Sequence, residues 1–304
     1  MGELLNKLVI GLMPAVPKVF VGHIASRYIA GETIQDTVKV VRQLNDEGAL
    51  ATIDLLGEHN KNTDAAKASM EIYFDILETI DREKLNANIS LKPTQLGLDN
   101  GIDFCIDLIT KIVERATDLN IFVRIDMEDV PYTDDTLQLH TDLRKRFDNV
   151  GVVIQAYLRR TILDIKSLIK SKANLRLCKG IYNESRKVAY KDRTSIINNY
   201  SFLLEELLKG DCYVGIATHC EESVWHALKI IHQLGLKREQ YEFQMLLGVD
   251  EELRRILLDA GHRLRVYVPF GKEWYPYSTR RLKENPRMAG YVMRDFLGMA
   301  KESR

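Results

Sequence analysis

An excess of charge of either sign is what this chain of 304 residues most plainly lacks, since 43 lysines and arginines stand against 43 aspartates and glutamates. Affinity for a phosphate backbone rests on surplus basic residues, so the balance excludes a general nucleic-acid binder. Disorder is excluded too, because it needs few apolar residues and a large net charge, and 45% of this chain is hydrophobic. Cysteine is scarce. Cys105, Cys178, Cys212 and Cys220 form no CxxC pair and lie near no histidine pair at zinc spacing, so no metal site is expected and the thiols read as reduced, in a cytoplasmic setting. Neither GxGxxG nor GxxxxGK[ST] occurs, which argues against an open doubly wound sheet built around a phosphate-binding first turn. Long apolar runs are missing as well. The stretch from Leu8 to Val16 is too short to span a bilayer, contains Pro14 and is followed by Pro17, and it has no basic leader. We read it as a packing segment.

What is present is a repeat of pattern. Short apolar or β-branched runs bounded by turn residues occur eight times, at residues 49–56, 87–91, 121–125, 151–156, 174–178, 213–217, 241–247 and 263–268. Helical stripes separate most of them. Ile102, Cys105, Ile106, Ile109, Ile112, Val113 and Ala116 form one, and Leu203, Leu204, Leu207 and Leu208 form another that stops at Gly210. Asp250 is placed to cap a helix carrying Leu253, Ile256 and Leu257, with Gly261 just past its end. Alternating strands and helices, with strands apolar enough to be buried on both faces, predict a single (β/α)8 TIM barrel over residues 49–304. Residues 1–48, with Ile34, Val38, Val41 and Leu44 at helical spacing, would be an N-terminal helical extension.

In such a barrel the chemistry sits where strands end and loops begin. That rule selects Asp54 and Glu58, Lys92, Asp126, Gln155, Arg176 with Lys179, Thr218 with His219, Gln244 and Tyr267. Any one of these is most simply a surface ion pair. As a set converging on one rim they point to a site.

The segment after the eighth strand is ill suited to packing. If residues 276–284 are helical, Tyr277, Arg280, Arg281 and Glu284 share one face, which is polar and aromatic, and only Leu282 could face a core. Met288, Val292, Phe296 and Met299 in the next segment supply a proper apolar stripe. The last helix is therefore expected in the usual packing place, leaving the Arg-Arg helix to lie over the barrel mouth. Two guanidinium groups near Lys92 would bind a small carboxylate, because arginine presents paired donors in carboxylate geometry.

The motifs Asp54-Leu-Leu-Gly-Glu58, Ser90-Leu-Lys92, Arg124-Ile-Asp126-Met-Glu128, Gln155-Ala-Tyr-Leu-Arg-Arg160, Arg176-Leu-Cys-Lys-Gly-Ile-Tyr182, Ala217-Thr-His219 and Tyr267-Val-Pro-Phe-Gly271, with Tyr277-Ser-Thr-Arg-Arg-Leu-Lys-Glu-Asn285, run in order along the chain. In that order they resemble flavin-dependent proline dehydrogenase, in particular its short monofunctional bacterial form. The resemblance implies a distorted (β/α)8 barrel whose eighth helix covers the mouth. It also implies oxidation of L-proline to Δ1-pyrroline-5-carboxylate, the first step of proline catabolism, with hydride passing to FAD. By the same resemblance Lys92, Arg280 and Arg281 hold the substrate carboxylate, and Tyr267 and Tyr277 enclose the proline ring. Asp126 and Arg176 are active-site residues, and Glu58 and Arg280 pair to close the site. Met127, Gln155, Lys179, Gly180, Ile181, Thr218 and His219 contact FAD.

Further implications are a membrane quinone as electron acceptor, peripheral contact with the inner membrane, and a separate pyrroline-5-carboxylate dehydrogenase as a partner. The chain departs from the large bifunctional relatives at Asn183, where they carry Trp, and at Leu246-Leu247-Gly248, where Leu-His-Gly is common. Its length leaves no room for their aldehyde dehydrogenase or DNA-binding domains. Two rival readings are an oxidase of 4-hydroxyproline, which a smaller residue at position 267 would favour, and a Schiff-base lyase using Lys92 or Lys179. An inert barrel that binds a partner is a third, and the charged strand ends argue against it.

Overall fold

A computed structural model of the chain describes residues 26–275, 277 and 278. Eight parallel strands follow one another around the barrel: β1 (Leu50–Leu55), β2 (Ala87–Leu91), β3 (Val123–Ile125), β4 (Val150–Gln155), β5 (Asn174–Cys178), β6 (Tyr213–Ala217), β7 (Tyr241–Leu246) and β8 (Leu264–Phe270). They pair in chain order, and β8 closes the barrel on β1 with Ala51 opposite Val266. Helix α1 (Ile34–Asp46) precedes β1. The seven connections carry α2 (Thr63–Arg82), α3 (Ile102–Asp118), α4 (Thr133–Arg144), α5 (Thr161–Lys170), α6 (Arg193–Lys209), α7 (Glu221–Leu234) and α8 (Glu251–Asp259).

Local chemistry sets these boundaries. The Thr33, Asn62 and Asp250 side chains accept from backbone N–H groups in the first turns of α1, α2 and α8, satisfying donors that a helix start leaves unpaired. Two strand boundaries differ from the sequence pattern by two residues, the others by one at most. Residues 121–122 are not strand: the Ile121 N–H returns to the Ala116 carbonyl at 2.8 Å and closes the end of α3. Strand β8 instead runs on through Pro269, whose missing N–H is tolerated at a strand end and whose carbonyl accepts from Ala30 N at 2.9 Å. The α3 and α6 stripes are buried except for the half-buried Ile102 and Ile106, but in α8 only Leu257 of the three expected residues is, and Ile256 is 56% exposed. A helix of nine residues lays too narrow a face on the barrel to cover all three.

The expectation of strands apolar on both faces holds only for the outer face. Ile53, Ile89, Val123, Ile125, Leu175, Leu177, Val214, Ile216, Val266 and Val268 alternate with polar residues, and side chains alternate across a strand. The inward set includes Thr52 and Asp54, Asn88 and Ser90, Arg124, Arg176, Glu242 and Gln244, and Arg265 and Tyr267. Barrels usually fill this space with Val, Ile and Leu. Here it holds a hydrogen-bonded network. Arg124 donates to the Asn174 carbonyl and side chain at 2.8 and 2.6 Å, and Arg265 donates to both Glu242 oxygens at 2.7 and 3.1 Å. Pairing of this kind makes burial of so many polar groups tolerable.

Helix α1 lies against β1 and β8, burying Val41 and Leu44. After β8, residues 274, 275, 277 and 278 are helical, and Ser278 Oγ donates to the Trp274 carbonyl at 2.7 Å. This helix thus starts at Trp274, earlier than residue 276. Its continuation and the apolar stripe from Met288 to Met299 lie outside the described residues.

Candidate active site

The network rises to a hub at the open end of the barrel. Asp126, the residue after β3, stays in the ladder through its N–H to the Leu91 carbonyl at 2.8 Å, which aims its carboxylate inward. Its Oδ1 accepts from Ser90 Oγ at 2.5 Å and Arg176 NH1 at 2.8 Å, and its Oδ2 accepts from Tyr267 OH at 2.9 Å. Residues of β2, β5 and β8 therefore converge on one carboxylate. Burial, with the charges of Asp126 and Asp54 beside it, raises the Tyr267 phenol well above its usual range, so the phenol keeps its proton and donates. The Arg176 guanidinium lies 5.1 Å from the centre of the same ring, in cation–π geometry.

One strand away, Lys92 donates to Asp54 Oδ1 at 2.7 Å, and both residues are buried. Burial opposes the lysine's charge, but the surrounding carboxylates of Asp54, Asp126 and Glu58 outweigh it and hold Lys92 above the ordinary lysine range. A buried ion pair of this kind is weak as a source of stability and strong as a way of fixing a charge in place. Glu128 is buried, accepts from Thr94 N at 2.9 Å and from Thr94 Oγ1, and is pushed up to about 7 by burial against those hydrogen bonds.

The β4 to β7 side of the rim differs in character. Gln155 donates to the Met127 and Glu128 carbonyls at 3.1 and 3.2 Å, while its Oε1 is buried and meets no donor among the described residues. Lys179, Gly180 and Ile181 form the turn after β5; the Lys179 carbonyl accepts from Tyr157 N at 2.8 Å, and Gly180 has φ +101. Thr218 is buried and accepts from Cys220 N at 3.1 Å. His219 Nε2 accepts from Leu246 N at 3.1 Å, which leaves the ring proton on Nδ1 when the ring is neutral.

Of the residues selected from sequence, the structure gathers Asp126, Arg176 and Tyr267 into one cluster, with Lys92 beside it on Asp54. Gln155, Lys179, Gly180, Thr218 and His219 lie along the adjoining rim, and Ile181 is 39% exposed there. Met127 and Tyr277 are buried, the latter packed with Ile29, Leu56 and Trp274. Glu58 is half-buried beyond β1. Arg280 and Arg281, and with them the Glu58–Arg280 pair, lie outside the described residues. Sequence reading passed over Glu242, Arg265, Asn88 and Thr52. Their signal was present as polar residues at every second position of β1, β2, β7 and β8.

Residues 37–294 match the family model described as proline dehydrogenase. The chain belongs to the proline dehydrogenase family. It is 36% identical over 278 residues to proline dehydrogenase 2 of Bacillus subtilis, covering 91% of each chain. Similarity to the proline dehydrogenase of Deinococcus radiodurans is 32% over 280 residues, 90% of each chain. Among solved structures the barrel superposes on proline utilization A from Bdellovibrio bacteriovorus with a TM-score of 0.81 at 24% identity, over 86% of this chain and 32% of that one. The chain thus spans about a third of that larger protein, and the likeness there is one of fold. Within this proline dehydrogenase family member, donors from three strands engage the Asp126 carboxylate.

Proposed function

We propose that the protein oxidises L-proline to Δ1-pyrroline-5-carboxylate at the open end of its barrel, as the first step of proline catabolism, with FAD as its bound cofactor. The Asp126 cluster, found at strand ends of a proline dehydrogenase family member, carries this reading. The residues proposed to hold FAD suit it. Gln155 offers a buried amide oxygen with no donor among the described residues, a partner for a flavin ring N–H, and Lys179 supplies a cation suited to phosphate. When bound, FAD supplies the hydride acceptor.

The chain's own residues do the rest by positioning and electrostatics. Lys92, held as a cation, attracts the substrate carboxylate together with Arg280 and Arg281. Tyr267 and Tyr277 enclose the ring, and the Tyr267 hydroxyl is fixed by Asp126. Arg176, oriented by Asp126, offers positive charge where negative charge builds on the cofactor. Met127, Gly180, Ile181, Thr218 and His219 complete the flavin cradle, and Glu58 pairs with Arg280 to close it.

Tyr267 favours proline over 4-hydroxyproline, since its hydroxyl takes the space an added hydroxyl would need. A Schiff-base lyase acting through Lys92 is disfavoured because a nucleophilic lysine must be neutral, and the surrounding carboxylates hold Lys92 above the ordinary lysine range. Electrons would pass on to a membrane quinone. The protein would work in the cytoplasm with peripheral contact at the inner membrane, and a separate dehydrogenase would consume the product; no described helix is long and apolar enough to cross a membrane.

Turnover of the two amino acids tests the substrate: faster oxidation of 4-hydroxyproline overturns the choice of proline. Replacing Arg280 and Arg281 separately with Met should raise the proline KM at least about tenfold each, the scale of a lost charged hydrogen bond. Unchanged kinetics in both would remove the carboxylate clamp.

A further inference from the structure

Below Arg176 the polar network continues away from the reacting end. Gln244 Oε1 accepts from Arg176 Nε at 2.5 Å, and Gln244 Nε2 donates to Glu242 Oε1 at 2.6 Å. Arg265 grips both oxygens of Glu242 and donates onward to the Ala51 carbonyl at 2.8 Å. Tyr213 OH donates to Glu242 Oε2 at 3.0 Å. The order of atoms is forced. Burial alone would raise the Glu242 carboxyl, but the Arg265 charge and the hydrogen bonds it receives pull it down to about 2, so it is always an acceptor. Gln244 must then turn its NH2 toward Glu242 and its oxygen toward Arg176. That fixes the guanidinium so that NH1 meets Asp126.

Space for this side chain is made on the neighbouring strand. Gly215 has an ordinary backbone conformation, so its glycine is not required for a turn; a Cβ there would lie 2.4 Å from Gln244 Nε2 and 2.7 Å from its Cδ. The far end of a glutamine can usually swing aside. This one is held at both ends, so it cannot do so without releasing Arg176 or Glu242.

We propose that Gln244 is a positioning residue for the reaction, setting the orientation of Arg176 from below with Glu242 and Arg265 as its anchor, and that Gly215 is glycine in order to admit it. This rests on the proposed role of Arg176 beside FAD. Gln244 is bonded to Arg176 on one side and Glu242 on the other. Its effect is carried by the direction of one guanidinium, a displacement of the kind that costs about 100-fold in rate when it reaches 1 Å.

The test uses purified, FAD-loaded enzyme in single-turnover mixing with proline, read per bound flavin, together with the flavin midpoint potential and the melting temperature. Gln244→Met, which keeps the volume and removes both hydrogen bonds, should slow flavin reduction at least about tenfold. It should also lower the potential, because a displaced cation stabilises the reduced cofactor less, while the proline KM changes by less than about threefold. Gly215→Ala should act in the same direction, and should have no further effect when added to Gln244→Ala, where there is no amide left to displace. Wild-type rate and potential in Gln244→Met overturn the inference, as does a Gly215→Ala effect that persists undiminished in the Gln244→Ala background. Should Gln244→Met fail to keep its flavin, Gly215→Ala, which leaves every network side chain in place, decides alone. Failure of the wild-type enzyme to be reduced by proline would instead strike the proposed function.

Discussion

Asp126 holds three donors from three strands, so removing its side chain frees Ser90, Arg176 and Tyr267 together. Asp126→Ala should lower kcat/KM for proline about 100-fold, with flavin content less affected, in steady-state kinetics normalised to bound flavin. A second residue-scale expectation concerns thiols. Burial pushes Cys105 well above the usual thiol range and Cys212 up to about 11. Burial pushes Cys220 up as well, but hydrogen bonds from Ser223 and Arg193 and the charge of Lys179 outweigh it and bring the thiol down to about 7. Because the thiolate is the reactive form, iodoacetamide at pH 7.5 should label Cys220 well before Cys105 or Cys212, as mass spectrometry of digests would show. Asp126, Arg176, Lys92 and Tyr267 were legible in the sequence because a barrel puts chemistry at strand ends. Gln244 was placed at the rim, but its partner Glu242 was passed over, since a charge in mid-strand shows no purpose until the structure brings Arg265 onto both of its oxygens.

Among the elements, the turn after β5 is built on a glycine and the buried face of α4 carries a histidine. Gly180 has φ +101, and a Cβ there would lie 2.0 Å from the Tyr157 ring. Gly180→Ala should therefore distort the turn and weaken flavin retention, measured as flavin per protein after desalting; full retention would show that the turn tolerates the side chain. In α4, His140 is buried with its Nε2 unpaired among the described residues, and burial, with the charges of Arg124 and Arg144, lowers it to about 3. The unfolded chain takes up this proton below about pH 6.5 and the folded chain does not until about 3, so stability is lost as pH falls through that window. His140→Leu should flatten the fall of melting temperature between pH 6.5 and 5, whereas an identical slope would show the histidine protonates in place. Helix existence was readable from 3.6-residue stripes. Boundaries were less so, as Ile121 shows: its N–H serves the end of α3, and an apolar run alone cannot say which element owns a backbone donor.

Over the whole molecule, the even charge balance hides a segregation. Residues 254–304 hold 12 basic and five acidic residues, so this stretch carries +7 while the remainder carries −7. Arg254 is spent on a salt bridge to Glu47 and Arg265 on Glu242, both within the fold. Arg280 and Arg281 belong to the same basic stretch and are the candidates for the substrate. The closed barrel was legible from eight alternating units, and its polar interior was passed over although every second residue faces the axis, because outer-face valines and isoleucines dominate the strands' composition. This interior and rim are proposed to bind FAD and let proline reduce it. Titrating the purified, FAD-reconstituted protein with L-proline under anaerobic conditions tests this directly through the flavin absorbance near 450 nm, the ordinary band of an oxidised flavin. Saturable bleaching by proline is the expected result. A protein that takes up no FAD, or whose bound flavin stays yellow at saturating proline, would contradict it.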